Sequence, residues 1–86
     1  MEILQTAIPD VLLIKPTVFG DQRGWFLETW QQSRYQPAGV PAEFVQDNVS
    51  FSQRGVLRGL HYQHPRGQGK FVQVLAGRVF DVAVDI

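Results

Sequence analysis

The chain of 86 residues contains no cysteine, which excludes a disulfide framework and any thiolate that binds a metal or acts as a nucleophile. It also lacks an excess of either charge, because eight basic residues balance eight acidic ones. No global field attracts nucleic acid or an anionic membrane, so any anion must be recognised locally. The apolar run at residues 11–14 is too short for a signal-peptide core or a membrane span. These absences predict a soluble cytoplasmic protein that binds neither nucleic acid nor membrane.

The composition and the turn residues that are present predict one small all-β domain. Hydrophobic residues make up 44% of the chain and charged residues 19%, which is ordinary for a globular protein. The predicted strands cover residues 11–19 (interrupted by Pro16), 25–30, 44–50 and 56–62, followed by a hairpin of residues 70–75 and 79–86. Residues 21–24 have turn chemistry, and residues 31–36 are the only short helical segment expected. This pattern favours a sandwich or a barrel.

Alternation along the strands assigns their side chains to faces. The last strand has one apolar face, formed by Phe80, Val82, Val84 and Ile86. Two earlier strands place polar groups near aromatic ones, on faces formed by Phe26, Glu28 and Trp30 and by Gln46, Asn48 and Ser50. Such faces are typical of a ligand cavity, although solvent-facing sides of a sheet have the same pattern.

The segment from Gly55 to His61 opens like the first motif of the cupin proteins, with five residues between the glycine and the histidine. Gly77 closes the motif, with six residues between it and Lys70. Metal-binding cupins place a histidine and a glutamate where this chain has Gln63 and Lys70, and neither residue replaces those ligands. We therefore expect a cupin without a metal. A metal-dependent cupin and a buried structural role for His61 remain alternatives.

His64 offers a second imidazole three residues after His61. In a strand followed by a loop, two histidines at this spacing diverge, so the pair is a poor metal site.

Four blocks in register, residues 21–28, 44–48, 55–63 and 79–86, resemble the signature blocks of the dTDP-4-dehydrorhamnose 3,5-epimerase family. The resemblance implies a jelly-roll (cupin) sandwich, a homodimer with strand exchange, and no cofactor. Family members are about twice as long, and the chain stops within an alternating strand. We therefore expect residues 1–86 to be the N-terminal part of a single cupin-like domain whose C-terminal half is absent. Such a fragment is expected to be inactive, and aggregated, intertwined or marginally folded.

The same resemblance implies a substrate, dTDP-4-keto-6-deoxy-D-glucose, whose carbons 3 and 5 are inverted. The carbonyl at carbon 4 acidifies both neighbouring C–H bonds. His61 matches the family's general base, and an imidazole suits that role at neutral pH. Lys70 matches a residue near the carbonyl oxygen, where a cation stabilises an enolate. Arg58 matches a residue that contacts the substrate, and we expect Gly59 to permit a bend that brings Arg58 and His61 together.

The nucleotide half of the substrate is expected to bind residues from the first two blocks. Arg23 matches a residue that contacts the nucleotide and suits the diphosphate, Phe26 can stack on thymine, and Glu28 can accept hydrogen bonds. Three further polar residues belong to the nucleotide-contacting block: Gln46, Asp47 and Asn48. The structural alternatives are a turn cation beside Asp21 for Arg23 and a core aromatic for Phe26. In the family, the N-terminal residues serve the pocket of the neighbouring subunit.

The chain departs from the family pattern in several places. The loop between Gln63 and Lys70 is one residue shorter than usual, and Phe71 and Gln73 stand where leucine and a basic residue are common. The family's tyrosine acid and the carboxylate that orients its histidine belong to the second half of the domain. The sequence therefore leaves open a relative that acts at one carbon only, and a binding module without turnover.

Overall fold

A computed structural model describes all 86 residues. Its regular elements are β1 (Glu2–Gln5), β2 (Leu12–Lys15), β3 (Val18–Asp21), β4 (Gly24–Leu27) and α1 (Gln32–Tyr35). The strands form two separate antiparallel pairs, β1 with β2 and β3 with β4. Strands with one short helix confirm the predicted class, an all-β fragment consistent with a cupin-type fold. The single helical turn is much too short to cross a membrane.

The β1–β2 pair runs in register from Glu2 opposite Lys15 to Gln5 opposite Leu12. The hydroxyl of Thr6 lies 2.6 Å from the carbonyl oxygen of Val11 and helps to close the connection. The sequence did not predict β1, because its four residues have no clear alternation of their own. Their strand character comes from pairing with β2.

Pro16 separates β2 from β3, as the sequence predicted. The predicted turn is also confirmed, since Asp21 pairs with Gly24 across a two-residue loop. Gly24 has φ +138°, a conformation that residues with a Cβ rarely adopt. The predicted strand at residues 25–30 ends earlier than expected, at Leu27.

The helical turn α1 lies within the segment predicted to be helical. Gln31 caps it, and its Oε1 accepts hydrogen bonds from the Arg34 N–H at 2.9 Å and the Ser33 hydroxyl at 2.7 Å. Tyr35 and Val40 are the two buried residues of the chain, 1% and 6% exposed. The core therefore sits at the helical turn.

Four rings, which we call the aromatic cluster, surround this core: Trp30, Tyr35, Phe44 and Phe71. The centroid of Trp30 lies 4.8 Å from that of Phe44, 5.0 Å from that of Tyr35 and 5.7 Å from that of Phe71. Such tilted and edge-on pairs contribute about 0.5–1.5 kcal/mol each beyond their buried area. The aromatic cluster joins three segments that are distant in sequence.

The strands predicted at residues 44–50, 56–62, 70–75 and 79–86 are wrong for this structure, which has no strand after β4. An extended segment is a strand only when its N–H and C=O groups pair with a neighbour, and these segments have none. The apolar face predicted for the last strand is open to solvent, with Phe80 94% exposed and Ile86 89% exposed.

Candidate functional site

A half-open cavity of about 180 Å³ lies beside the aromatic cluster. It is bounded by β2, by the chain just after β4, and by residues 70–73. Two of the predicted site residues, Glu28 and Lys70, line it. The structure therefore brings together one predicted nucleotide contact and the predicted enolate-stabilising cation, which are 42 positions apart in the chain.

Glu28 is held at both its side chain and its backbone. The Arg34 guanidinium donates from Nε to Glu28 Oε2 at 3.2 Å, and its Nη2 contacts Oε1. The Tyr35 hydroxyl donates to the Glu28 carbonyl oxygen at 3.1 Å. The hydrogen bond with Arg34 lowers the pKa of the Glu28 carboxyl, because it stabilises the ionised form. Glu28 therefore presents a fixed carboxylate to the cavity.

Lys70 also lines the cavity. Its Nζ donates to Gln68 Oε1 at 3.1 Å and makes no ion pair. Phe71, the next residue, belongs to the aromatic cluster and packs 5.5 Å from Phe44 between ring centroids. Phe71 was expected to have no chemical role, and its position here is structural. Lys70 therefore follows the packing of its neighbour, and its ammonium makes one hydrogen bond and no ion pair.

Arg23 and Phe26 lie on the β3–β4 hairpin, away from the cavity. Arg23 pairs with Asp21, with Nη2 2.5 Å from Oδ2, and its backbone N–H donates to Oδ1 at 2.8 Å. These contacts lower the pKa of Asp21 by stabilising its carboxylate. Phe26 is 70% exposed and pairs with Phe19 across the hairpin. Arg23 thus pairs with Asp21 as in the structural alternative, and its contact with a nucleotide stays a prediction.

The predicted amide pair is in direct contact, since Gln46 Nε2 donates to Asn48 Oδ1 at 3.2 Å. Asp47, between them, is exposed and accepts no side-chain hydrogen bond. Mutual bonding fixes the orientation of both amides and leaves their remaining donors and acceptors available to a ligand.

Arg58 and His61 stay apart from the cavity. Arg58 donates to the Ser52 hydroxyl at 2.9 Å and to the Phe51 carbonyl at 3.1 Å, while His61 is exposed. Gly59 has φ +114°, which agrees with the bend expected at this glycine. No group of three or more histidine and carboxylate side chains lies close enough to hold a metal ion.

Arg34 and Tyr35 are site neighbours that were not predicted from the sequence, where residues 31–36 are only a short helical segment. No local signal marked them, because glutamine is not among the preferred N-cap residues and the start of α1 after Gln31 could not be predicted.

The model of the dTDP-4-dehydrorhamnose 3,5-epimerase family matches residues 5–86. Proteins named dTDP-4-dehydrorhamnose 3,5-epimerase from Shigella flexneri and Pseudomonas aeruginosa are 57% and 56% identical over all of this chain. A dTDP-4-dehydrorhamnose 3-epimerase from Streptomyces niveus is 41% identical, also over the whole chain. The chain covers 49%, 48% and 42% of these proteins, so it spans about half the length of the curated relatives it matches. With a family match over nearly its whole length, the chain belongs to the dTDP-4-dehydrorhamnose 3,5-epimerase family.

Proposed function

We propose that a protein carrying this chain epimerises dTDP-4-keto-6-deoxy-D-glucose at carbons 3 and 5, in the cytoplasm and without a cofactor. The observation that carries this proposal is the family match over residues 5–86. The cavity supports it, because Glu28 and Lys70 line one space although they come from distant parts of the chain. Residues 1–86 then form the N-terminal part of a single cupin-like domain.

In the proposed mechanism His61 is the base and Lys70 stabilises the enolate. Removal of the proton from carbon 3 or carbon 5 moves negative charge onto the oxygen at carbon 4. An ammonium beside that oxygen lowers the energy of the charge as it develops. Lys70 suits this task because no carboxylate pairs with its ammonium. His61 must then approach the cavity, which requires residues 56–62 to pack against it in the active protein.

The nucleotide is proposed to bind polar and aromatic side chains of the β3–β4 hairpin and of the segments that follow it. The residues concerned are Arg23, Phe26, Glu28, Gln46, Asp47, Asn48 and Arg58. An arginine suits diphosphate oxygens because its planar fork forms two parallel hydrogen bonds. For Arg23, this requires the guanidinium to leave Asp21, its present partner.

We further propose that the protein is a homodimer in which the β3–β4 hairpin crosses to the second copy. This hairpin exposes large apolar side chains, with Phe19 62% exposed, Trp25 73% exposed and Phe26 70% exposed. Exposed apolar surface of this kind marks an interaction site, and a crossing hairpin would deliver Arg23 and Phe26 to the partner's cavity. Sedimentation or size-exclusion measurements on the full-length protein test the dimer, and a monomer at micromolar concentration contradicts it.

A second candidate function is epimerisation at one carbon only. It is favoured by the similarity to the Streptomyces niveus protein, which is named a 3-epimerase and is 41% identical to this chain. Both candidates share the base and the enolate chemistry. They differ in whether an acid returns a proton at one carbon or at both.

The deciding experiment incubates a full-length protein carrying this chain with the substrate in deuterium oxide. Mass spectrometry and NMR then locate the deuterium in the sugar. Deuterium at carbons 3 and 5 of an inverted product supports the proposed reaction, and deuterium at one carbon supports the second candidate. Binding of dTDP without any exchange indicates a binding module. Activity that is lost when a stoichiometric metal is removed, and that returns when the metal is added back, indicates a metal-dependent cupin.

A further inference from the structure

We propose that Arg34 is a positioning residue for Glu28: its guanidinium fixes the carboxylate in one orientation and offsets its charge, so that Glu28 can accept hydrogen bonds from an anionic sugar nucleotide. This inference rests on the proposed function, which makes Glu28 a nucleotide contact. It adds a residue, Arg34, to which the sequence pattern assigned no role.

The geometry of the contact suits a positioning role. Arg34 approaches Glu28 with two nitrogens, Nε to Oε2 at 3.2 Å and Nη2 to Oε1. A two-point contact between a guanidinium and a carboxylate restricts the rotation of both groups. An ionised carboxylate has about four lone-pair sites, so this contact leaves others free for a ligand.

Arg34 is itself held in place by the start of α1. Its backbone N–H donates to Gln31 Oε1 at 2.9 Å, and Tyr35 next to it is buried in the aromatic cluster. The Tyr35 hydroxyl binds the Glu28 carbonyl at 3.1 Å, so backbone and side chain of Glu28 are tied to adjacent residues of one helical turn. The position of the carboxylate is therefore set by the fold rather than by chance contact of two mobile side chains.

The charge of Glu28 explains why such a partner is needed. A carboxylate repels the diphosphate of a sugar nucleotide. Arg34 places a positive charge against the carboxylate, and the pair as a whole is neutral. Lys70, which also lines the cavity, makes no ion pair. The cavity therefore keeps one uncommitted cation for the ligand.

The other groups around Glu28 do not replace Arg34. The charged groups that act on its pKa are Arg34 and the N-terminal ammonium of Met1, while Tyr35 of α1 is next to Arg34 and Lys70 lines the same cavity. Only Arg34 forms an ion pair with it. Because the Arg34 side chain is 61% exposed, the pair contributes little to stability, and its effect on ligand binding can be measured separately from folding.

The test measures dTDP affinity by calorimetry in a full-length protein carrying this chain. Arg34→Gln is expected to weaken dTDP binding about tenfold, within the range of coupling between contacting residues. If Arg34 acts through Glu28, then Arg34→Gln causes no further loss when Glu28→Gln is already present. Arg34→Lys keeps the charge but not the fork, so it should recover part of the affinity. The matched control is Arg78→Gln, an exposed arginine without an ion pair, which should bind dTDP like the parent.

A second measurement, NMR titration of the Glu28 carboxyl without ligand, tests the contact directly. Arg34→Gln should raise the pKa of Glu28 toward its ordinary value, and Arg34→Lys should raise it less. An unchanged pKa overturns the inference, as do additive losses of affinity in the double variant or unchanged affinity in Arg34→Gln. If Arg34→Gln raises the pKa of Glu28 but the parent protein does not bind dTDP, the proposed function is refuted. The Glu28–Arg34 pair is then only a contact within the fold. If Arg34→Gln does not fold, the dTDP affinity and the pKa of Glu28 are compared between Arg34→Lys and the parent, and these two measurements decide the inference.

Discussion

The two halves of this chain differ in how much of their predicted secondary structure forms. Residues 1–43 contain all four strands, the helical turn and both buried residues. Residues 44–86 contain no strand and one backbone–backbone hydrogen bond, from the Val56 N–H to the Gln53 carbonyl at 3.3 Å. Yet the second half carries the proposed base and the proposed enolate-stabilising lysine. Most of the candidate chemistry is therefore on the part of the chain with the fewest contacts of its own.

The difference shows what a strand pattern can and cannot establish. The β3–β4 hairpin closes with a two-residue loop, and the Arg23–Asp21 pair reinforces it, so its partner strand is always near. The predicted hairpin of residues 70–75 and 79–86 has a similar short connection but does not form. Phe71 packs into the aromatic cluster instead, and residues 70–73 line the same cavity as β2. A two-stranded hairpin alone is marginal in water, and this competing contact outweighs it.

The largest effect is expected for His61→Ala, which tests whether the second half supplies the chemistry. In a full-length protein, this change should slow deuterium exchange at carbons 3 and 5 by roughly 10²–10⁴-fold, the range for a general acid–base group. Binding of dTDP should remain nearly intact, because the imidazole is proposed to act on the sugar. Exchange rates and calorimetry measure the two effects. A variant that keeps most of its exchange rate removes His61 from the mechanism.

The next effect concerns the stability of the first half. Tyr35→Ala should destabilise the chain by about 3 kcal/mol or more, because it removes a buried ring from the aromatic cluster. Phe80→Ala, at a ring that is 94% exposed, should change the stability by about 0.5 kcal/mol or less. Urea unfolding followed by near-ultraviolet circular dichroism compares the variants. Equal losses of stability in Tyr35→Ala and Phe80→Ala would show that the two halves of the chain do not differ in packing.

Tyr35→Phe refines the same comparison. It keeps the ring in the aromatic cluster but loses the 3.1 Å hydrogen bond to the Glu28 carbonyl. The expected cost is about 1 kcal/mol, the usual net value of one hydrogen bond. A loss as large as that of Tyr35→Ala would mean that the hydroxyl, and not the ring, holds the core together.

The parts of the fold that were predictable from sequence are those set by local chemistry. Pro16 has no backbone N–H, so it interrupts the strand wherever the partner lies. The turn at residues 21–24 follows from Asp21 and Gly24, and the helical turn from a polar segment ended by proline and glycine. β1 was not predictable, because only its register with β2 makes it a strand.

The candidate site was predictable in its residue types but not in its contacts. Glu28 and Lys70 were both expected, and they line one cavity. Nothing local indicates that Glu28 is paired with Arg34, because that contact depends on where α1 begins. The sequence likewise could not show whether Arg23 faces a ligand or Asp21, since both roles require the same residue in the same turn.

The third effect tests whether the first half of the chain binds the nucleotide. Arg23→Ala should weaken dTDP binding in a full-length protein by roughly ten- to a hundredfold, the value of a lost charge-assisted hydrogen bond. The exchange rate on bound substrate should fall much less. Calorimetry and exchange at saturating substrate measure the two. Unchanged affinity would leave Arg23 with its observed role alone, as the cation of the β3–β4 turn.

The smallest effect is a pH dependence confined to the first half. Arg23 lowers the pKa of Asp21 and Arg34 lowers that of Glu28, so both ion pairs contribute fully above the ordinary carboxyl pKa of about 4. Their contribution is lost as the pH falls below that value and through the lowered folded pKa. The guanidinium Nε–H resonances of Arg23 and Arg34 should therefore shift on acidification below about pH 4, while that of unpaired Arg78 stays constant. Because both pairs are exposed, the accompanying loss of stability should be small. Arg34→Gln should remove the pH response of the pair at Glu28 and leave that of the pair at Asp21. A shift of the Arg78 resonance over the same pH range would instead indicate general unfolding in acid.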